Sequence, residues 1–398
     1  MWFFAIVYAV EGIGQAKSGI MWQPLSHWLK VTLNWDPVRI SASLAILDLP
    51  WVIKPLWGAI SDFVPLFGYR RRPYLVLANV AAFLAFGWVA TLDTASAMIP
   101  ALTVTAFAMA ISSTLCGALL VETGQKHNTT ASVVNQQWLW FNIAQMITTL
   151  LSGYLIEILS PTGALHTAAW IAAVAPLAII AAVWLIQEPR ARIDLEALRE
   201  RLGALLSVFR SRDLWFTGGF LFLYYFSPHF GTPLYFYMSD RLDFSQGFIG
   251  LLSAVGAGGW ILGGLLFRWR LKRLTRPALL RLSIVGGVIS TLSCLALSSP
   301  ATAILIWLLT GITSMIAMIA TMSLAADACP EGAEGFAFAA MMSIVNLTAP
   351  LSDTLGSVLY QDVFNQKLGP LIVVSAAATA LVLFLIPLML FRPPRIVR

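Results

Sequence analysis

The chain is short of charge. Only 11% of its 398 residues are Asp, Glu, Lys or Arg, and 59% are hydrophobic; a soluble domain carries about 25% charged residues. An ordinary soluble fold is thereby excluded, and the mean hydropathy of +0.80 points to a membrane protein. Cysteine is also scarce. Cys116, Cys294 and Cys329 are far apart and form no C-x-x-C, which rules out a disulfide framework and a zinc ribbon. None of the four histidines forms H-x-x-x-H, so no metal site is expected. The sequence lacks G-x-S-x-G, H-E-x-x-H and a phosphate-cradling loop. An enzyme, a resident cofactor and an ATP-driven pump within this chain are accordingly not expected. The net charge of +6 comes from basic residues in short loops between apolar runs, a pattern of membrane topology and not of nucleic-acid binding.

What the sequence has in abundance is long apolar runs. At about 20 residues per span, the chain holds about twelve helices. Reading runs against Gly and Pro breakers places spans near 2–29, 38–60, 74–93, 96–122, 133–158, 164–187, 212–238, 244–268, 277–298, 300–326, 335–358 and 367–391. The first run, from Trp2, is too long for a signal-peptide core and reads as span 1. The fold class expected is an all-α membrane protein of two pseudo-symmetric six-helix bundles, residues 1–187 and 212–398 with a short tail. A linker, 188–211, joins them, and its segment 194–209 has the spacing of an amphipathic surface helix. Gly58 and Gly263, and Glu122 and Asp327, are each 205 positions apart, which agrees with an internal repeat.

Of the 25 lysines and arginines, Lys17 and Lys54 fall within spans and Lys30, Arg39, Arg241 and Lys367 in loops on one side. The other 19 lie on the opposite side. The positive-inside rule then puts both termini in the cytoplasm.

Ionised side chains cost roughly 2.5–3.5 kcal/mol at mid-bilayer on insertion scales, so those inside spans are functional candidates. They are Glu11 and Lys17 in span 1, Asp48 and Lys54 in span 2, and Asp353 in span 11. Members of each pair in spans 1 and 2 are six residues, or about 120°, apart on their own helix. Ties across the two antiparallel helices, Glu11 to Lys54 or Lys17 to Asp48, fit better. Such ties serve either helix packing or substrate and proton binding, and the sequence leaves both open. Spans 1 and 7 are the most interrupted, E-G-I-G-Q-A-K-S-G-I-M-W-Q-P and Y-Y-F-S-P-H-F-G-T-P-L-Y-F-Y. Interruptions at corresponding places in two halves point to a binding site between them. The aromatics of span 7, with His229, offer a stacking surface for a flat substrate. Polar faces on span 5 (Asn142, Gln145) and span 11 (Ser343, Asn346, Ser352) look inward.

The stretch G-A-I-S-D-F-V-P-L-F-G-Y-R-R-R, between spans 2 and 3, resembles the loop signature of the major facilitator superfamily. Its second glycine, Gly68, lies six residues after Asp62, where about three is usual. With the leading K-P and the trailing R-R-R-P-Y-L, this variant is similar to the folate–biopterin transporter family. Q-P-L-S-H-W-L-K-V-T-L-N-W-D-P, L-P-W-V-I-K-P-L-W-G and A-A-D-A-C-P-E-G-A-E-G-F-A-F-A-A-M-M-S-I-V-N agree. Glu11-Gly12 departs from the neutral pair expected there. The pigment-delivery proteins of photosynthetic bacteria share a P-L-F-G-aromatic-R-R loop without the K-P lead.

The resemblance implies a proton-coupled symporter for a folate- or pterin-like organic anion in a bacterial inner membrane, working as a monomer. Candidate substrate or proton sites are Glu11, Lys17, Asp48, Lys54, His229 and Asp353. A gate is expected from Asp62, Arg70, Arg71, Arg72, Glu122 and Asp327, with Asp62 capping the helix that starts near Gly335. Alternatives are a transporter of another amphiphile or drug and a non-transporting pigment or assembly protein. The topology is testable directly: a reporter active only in the cytoplasm, fused after Arg398, is expected to be active, and an inactive fusion with an active partner in the 241–245 loop would reverse the orientation.

Overall fold

The computed structural model describes residues 2–15, 18–126, 130–186, 188, 190, 203, 210–329 and 334–387. Lys17, the 194–209 linker segment apart from residue 203 and the C-terminal tail lie outside them, as do the side chains of Asp62 and Glu122.

Each expected span begins within three residues of an observed helix start. The starts are set by local chemistry. Asp36, Ser160, Ser245 and Ser299 each stand just outside a helix and accept the backbone N–H three residues on. Pro37, Pro161 and Pro300 follow three of these caps, where a missing N–H costs nothing. Among the described residues, ten helical stretches are long and apolar enough to cross a membrane. Spans 1 and 7 are not among them, because each is two helices where the apolar run suggests one. Span 1 is Trp2–Gly14 and Trp22–Val31, and span 7 is Arg212–Tyr225 and Gly231–Asp240. Span 2 is also divided, into Pro37–Ala45, the single-turn segments Ile46–Asp48 and Leu49–Val52, and Lys54–Phe63.

Small residues let helices meet backbone to backbone. A Cβ on Gly153 of span 5 would lie 3.0 Å from the Cα of Gly247, at the start of span 8, and one on Gly250 would lie 2.5 Å from the Thr149 carbonyl. This contact joins the two halves. In the second half, Gly259 of span 8 and Gly311 of span 10 meet in the same way. Leucines and valines such as Leu84, Val174, Leu265 and Leu305 stay exposed around the bundle, where lipid replaces water.

The breaks are held by their neighbours. In span 7 the His229 N–H donates to the Ser352 carbonyl (3.0 Å), and the Ser352 hydroxyl reaches the Tyr225 carbonyl at 3.4 Å. The seam closes on Gly356, where an added Cβ would lie 1.6 Å from the His229 carbonyl. In span 1 the Gln145 amide of span 5 donates to the Ser18 carbonyl (3.2 Å). Gly356→Ala is therefore expected to cost about 3 kcal/mol, the upper part of the overpacking range. Gly219→Ala, with open space around its Cβ, should be neutral or stabilising. Thermal unfolding of the two variants in one detergent checks this; equal melting points would refute it.

Candidate functional site

Among the described intramembrane charges, Glu11, Asp48 and Lys54 sit at or beside helix breaks, whereas Asp353 lies within the helix of span 11. Glu11 lies one turn before the break in span 1, Asp48 ends the single-turn segment of span 2, Lys54 opens its last helix, and His229 is in the break of span 7. A break frees backbone groups that a continuous helix would pair, and those groups must find partners inside the protein.

Glu11 is buried. Its Oε1 accepts from the Ser113 hydroxyl of span 4 (3.0 Å) and from the Gln15 amide (3.2 Å). The Lys54 ammonium donates to the same Ser113 oxygen at 3.1 Å and lies 4.3 Å from the centre of the Trp51 ring. The expected tie between spans 1 and 2 thus runs through a serine of span 4. The other oxygen of Glu11, Oε2, and the hydroxyl of Tyr8 are buried without a hydrogen-bond partner among the described residues. Lys17 lies outside the described residues, and Asp48 is half-buried.

The K-P dipeptide has a local consequence. Residue 55 would donate to the carbonyl of Trp51 in an unbroken helix, but Pro55 has no N–H. The Trp51 carbonyl instead accepts from the side-chain amide of Asn346, on span 11 of the other half, at 3.0 Å. The break in span 2 is therefore read by the opposite bundle.

In the second half, Asp353 accepts from the hydroxyl (2.8 Å) and the N–H (3.3 Å) of Thr232, at the start of the second helix of span 7. A carboxylate there satisfies an orphan donor and the positive end of the helix dipole. His229 lies 3.5 Å from Asp353, with its side chain 60% exposed. Its Nδ1 accepts from the Gly231 N–H (3.1 Å), so a neutral ring presents its own N–H at Nε2. The ring stacks on Phe230. The stacking surface expected from span 7 is otherwise mostly core: Phe220 and Tyr235 are buried, and Tyr224 and Tyr225 bind Ser283 and Thr321.

The expected gate residues divide. Arg71 is buried, and its guanidinium donates to the Ser61 hydroxyl at 2.7 Å. The N–H groups of Arg70, Arg71 and Arg72 all donate to one carboxylate, Glu188 (2.8, 2.8 and 3.0 Å), which caps span 3. The Arg72 side chain lies over Tyr69 and Trp184. The six-residue interval before Gly68 accommodates a tight turn in which Phe67 (φ 51°) and Gly68 (φ 78°) are both left-handed. Asp327 pairs with Arg276 of its own half at 2.5 Å. The side chains of Asp62 and Glu122 lie outside the described residues.

Further ties between the halves sit at the end of the bundle away from the arginine-rich loops. Lys30 is bound to Asp240 and Ser239 and lies over Phe236. The Gln23 amide donates to the Gln246 carbonyl (2.7 Å), and Glu157 accepts the Gly247 N–H (2.9 Å). Ser113, Asn346, Glu188 and these outer ties were not picked out by the intramembrane charges. Of these, the sequence singles out Asn346 alone, on the inward polar face of span 11.

The helices, with spans 1 and 7 each divided, are arranged as in the major facilitator fold, an architecture seen in membrane transporters. The chain superposes on a D-xylose–proton symporter with a TM-score of 0.76, covering 99% of this chain and 97% of that one at 13% identity. The nucleoside transporter NupG gives 0.70, covering 99% and 100% at 15% identity. At such identities these are likenesses of fold. The family model that matches, over residues 13–398, is that of the BT1 family, and the chain belongs to the BT1 family. It is 29% identical over 382 residues to a folate-biopterin transporter of Synechocystis sp., spanning 89% of this chain and 73% of that one. It is 25% identical over 391 residues to a probable folate-biopterin transporter 2 of Arabidopsis thaliana, spanning 90% and 76%. The chain is a multi-pass membrane protein of a transporter family, as the resemblance implied.

The Asn346 contact can be tested as a cycle. Asn346→Leu leaves the Trp51 carbonyl buried and unpaired, at a cost of about 1–3 kcal/mol. Pro55→Ala restores an N–H that can satisfy it, so the double variant should recover most of the melting-point loss. Equal losses with and without Pro55→Ala would overturn this account.

Proposed function

We propose that the protein is a secondary transporter of a folate- or pterin-like organic anion, driven by protons and working by alternating access. The single observation that carries this reading is Glu11. It is a buried carboxylate one turn before a helix break, one oxygen engaged by Ser113 and Gln15 and the other, Oε2, without a hydrogen-bond partner among the described residues. Such an oxygen suits either a coupling proton or the adjacent N–H donors of a pterin ring. Lys54, linked to Glu11 through Ser113, suits the substrate's carboxylate. His229, its exposed ring oriented by the Gly231 N–H, faces them from the other half in this scheme. The names of the relatives, folate-biopterin transporters, support the substrate class.

The transport cycle follows from the seams. The ties of Lys30, Gln23 and Glu157 close the end away from the basic loops. With that end outside the cell and both termini in the cytoplasm of a bacterium, opening requires those ties to part while Asp62, Arg70–Arg72, Glu122 and Asp327 close the inner end. A proton on Glu11 weakens its hold on Ser113 and hence on Lys54, which lets span 2 move. We assign this cycle to a monomer.

Reconstituted uptake tests the reading. Folate or biopterin uptake into vesicles is expected to rise when the outside is made acidic. Removing the charge at Glu11 with Glu11→Gln deletes a charge-assisted bond worth about 2 kcal/mol, on the order of thirtyfold in affinity, and should abolish the response to the gradient. Flux indifferent both to the gradient and to Glu11→Gln would sink the coupling; competition by unrelated amphiphiles but not by folates would sink the substrate class.

A further inference from the structure

We infer that the basic end of the second half holds a site for the headgroup of an anionic phospholipid, between spans 8, 9 and 10. A cavity of about 380 Å³ opens there. Phe267, Leu271 and Leu279 give it apolar walls, and Lys272, Arg276 and Asp327 are its charged lining. The connection from span 8 to span 9 carries Arg268, Arg270, Lys272, Arg273 and Arg276 within nine residues, all exposed. Asp327 is already taken by Arg276 at 2.5 Å. Arg268, Lys272 and Arg273 have no acidic partner among the described residues. Trp269 is 69% exposed beside them, with the Arg270 guanidinium 4.4 Å from its ring centre. An exposed tryptophan next to cations marks the headgroup level of a bilayer.

The repeat sharpens the point. Arg276 stands 205 positions after Arg71, the offset that also relates Gly263 to Gly58 and Asp327 to Glu122. In the first half this corner is filled by the protein itself. Arg71 is 3% exposed and bound to Ser61, and Glu188 takes the three N–H groups that open span 3. In the second half Arg276 is 70% exposed, and the helix it opens has Thr275 as a cap residue with no side-chain cap bond. Where the first half supplies Glu188, the described residues of the second offer a cavity, unmatched cations and a helix start without a side-chain cap bond. A bare topology anchor needs the cations but not the cavity. The apolar walls and the position between helix ends select a lipid, whose phosphate meets Lys272, with Arg273 next to it in the chain adding to the local positive charge, while its glycerol meets Phe267 and Leu279. Basic pockets between spans on the side of the anionic leaflet bind such headgroups. Asp327 competes with the phosphate for Arg276, so the lipid also biases one of the proposed gate residues.

The test uses the full chain in nanodiscs and native mass spectrometry, with phosphatidylglycerol, phosphatidylcholine and inorganic phosphate as probes. The expected result is saturable retention of phosphatidylglycerol over phosphatidylcholine, not displaced by phosphate at equal concentration. Lys272→Gln with Arg273→Gln should weaken retention about 25-fold, fivefold or ~1 kcal/mol per charge. Asp327→Asn should strengthen it, because Arg276 is released. Equal retention of the two lipids by the unaltered chain, a double variant that binds like it, or weaker binding by Asp327→Asn would each overturn the site. Displacement by free phosphate would overturn the lipid in favour of a small anion. None of these readouts depends on folate transport, so the two proposals fail separately.

Discussion

Every backbone N–H and C=O that lies in the hydrocarbon layer needs a partner within the protein. In this chain that constraint makes helix breaks expensive, and the structure places its polar side chains where the breaks are. Gln145 serves the break in span 1, Asn346 the break in span 2, and Ser352 with Asp353 the break in span 7. The charges follow the same logic. A carboxylate or ammonium held at a break can use freed backbone groups and nearby hydroxyls in place of water.

These contacts give the two halves a common vocabulary. Span 11 of the second half supports its own span 7 through Ser352 and Asp353, and reaches across to span 2 through Asn346. Span 5 of the first half supports span 1 through Gln145 and meets span 8 across the seam, with Gly153 against Gly247 and Gly250. Any movement of one half against the other must therefore act on the breaks, which are also where Glu11 and Lys54 sit.

The loop between spans 2 and 3 shows how two halves of one fold diverge. Its arginines look like a single charged motif, yet Arg71 is buried in a bond to Ser61, Arg72 lies over aromatic rings, and the backbone of all three is capped by Glu188. In the second half Arg276 is exposed, and among the described residues no side chain caps the helix it opens. Arg71 and Arg276 both stand at helix starts, yet in different surroundings and so with different chemistry.

How much was legible beforehand follows from the range of each interaction. Span number and helix starts are local: apolar runs set the first, and Asp36, Ser160, Ser245 and Ser299 set several of the second by bonding three residues ahead. The charged candidates were legible too, because an ion in a span is costly wherever it lies. The splitting of spans 1 and 7 was only half visible, since glycine and proline permit a break without requiring one, and neighbouring helices decide. That Glu11 meets Lys54 through Ser113, that the Trp51 carbonyl freed by Pro55 finds Asn346, and that Glu188 caps span 3 all join residues some 60 to 300 positions apart. The sequence by itself determined that this chain lives in a membrane as a bundle of spans. Only the tertiary structure decided which polar group answers which break, because hydrogen bonding between helices depends on distances of a few ångströms that no spacing along the chain records.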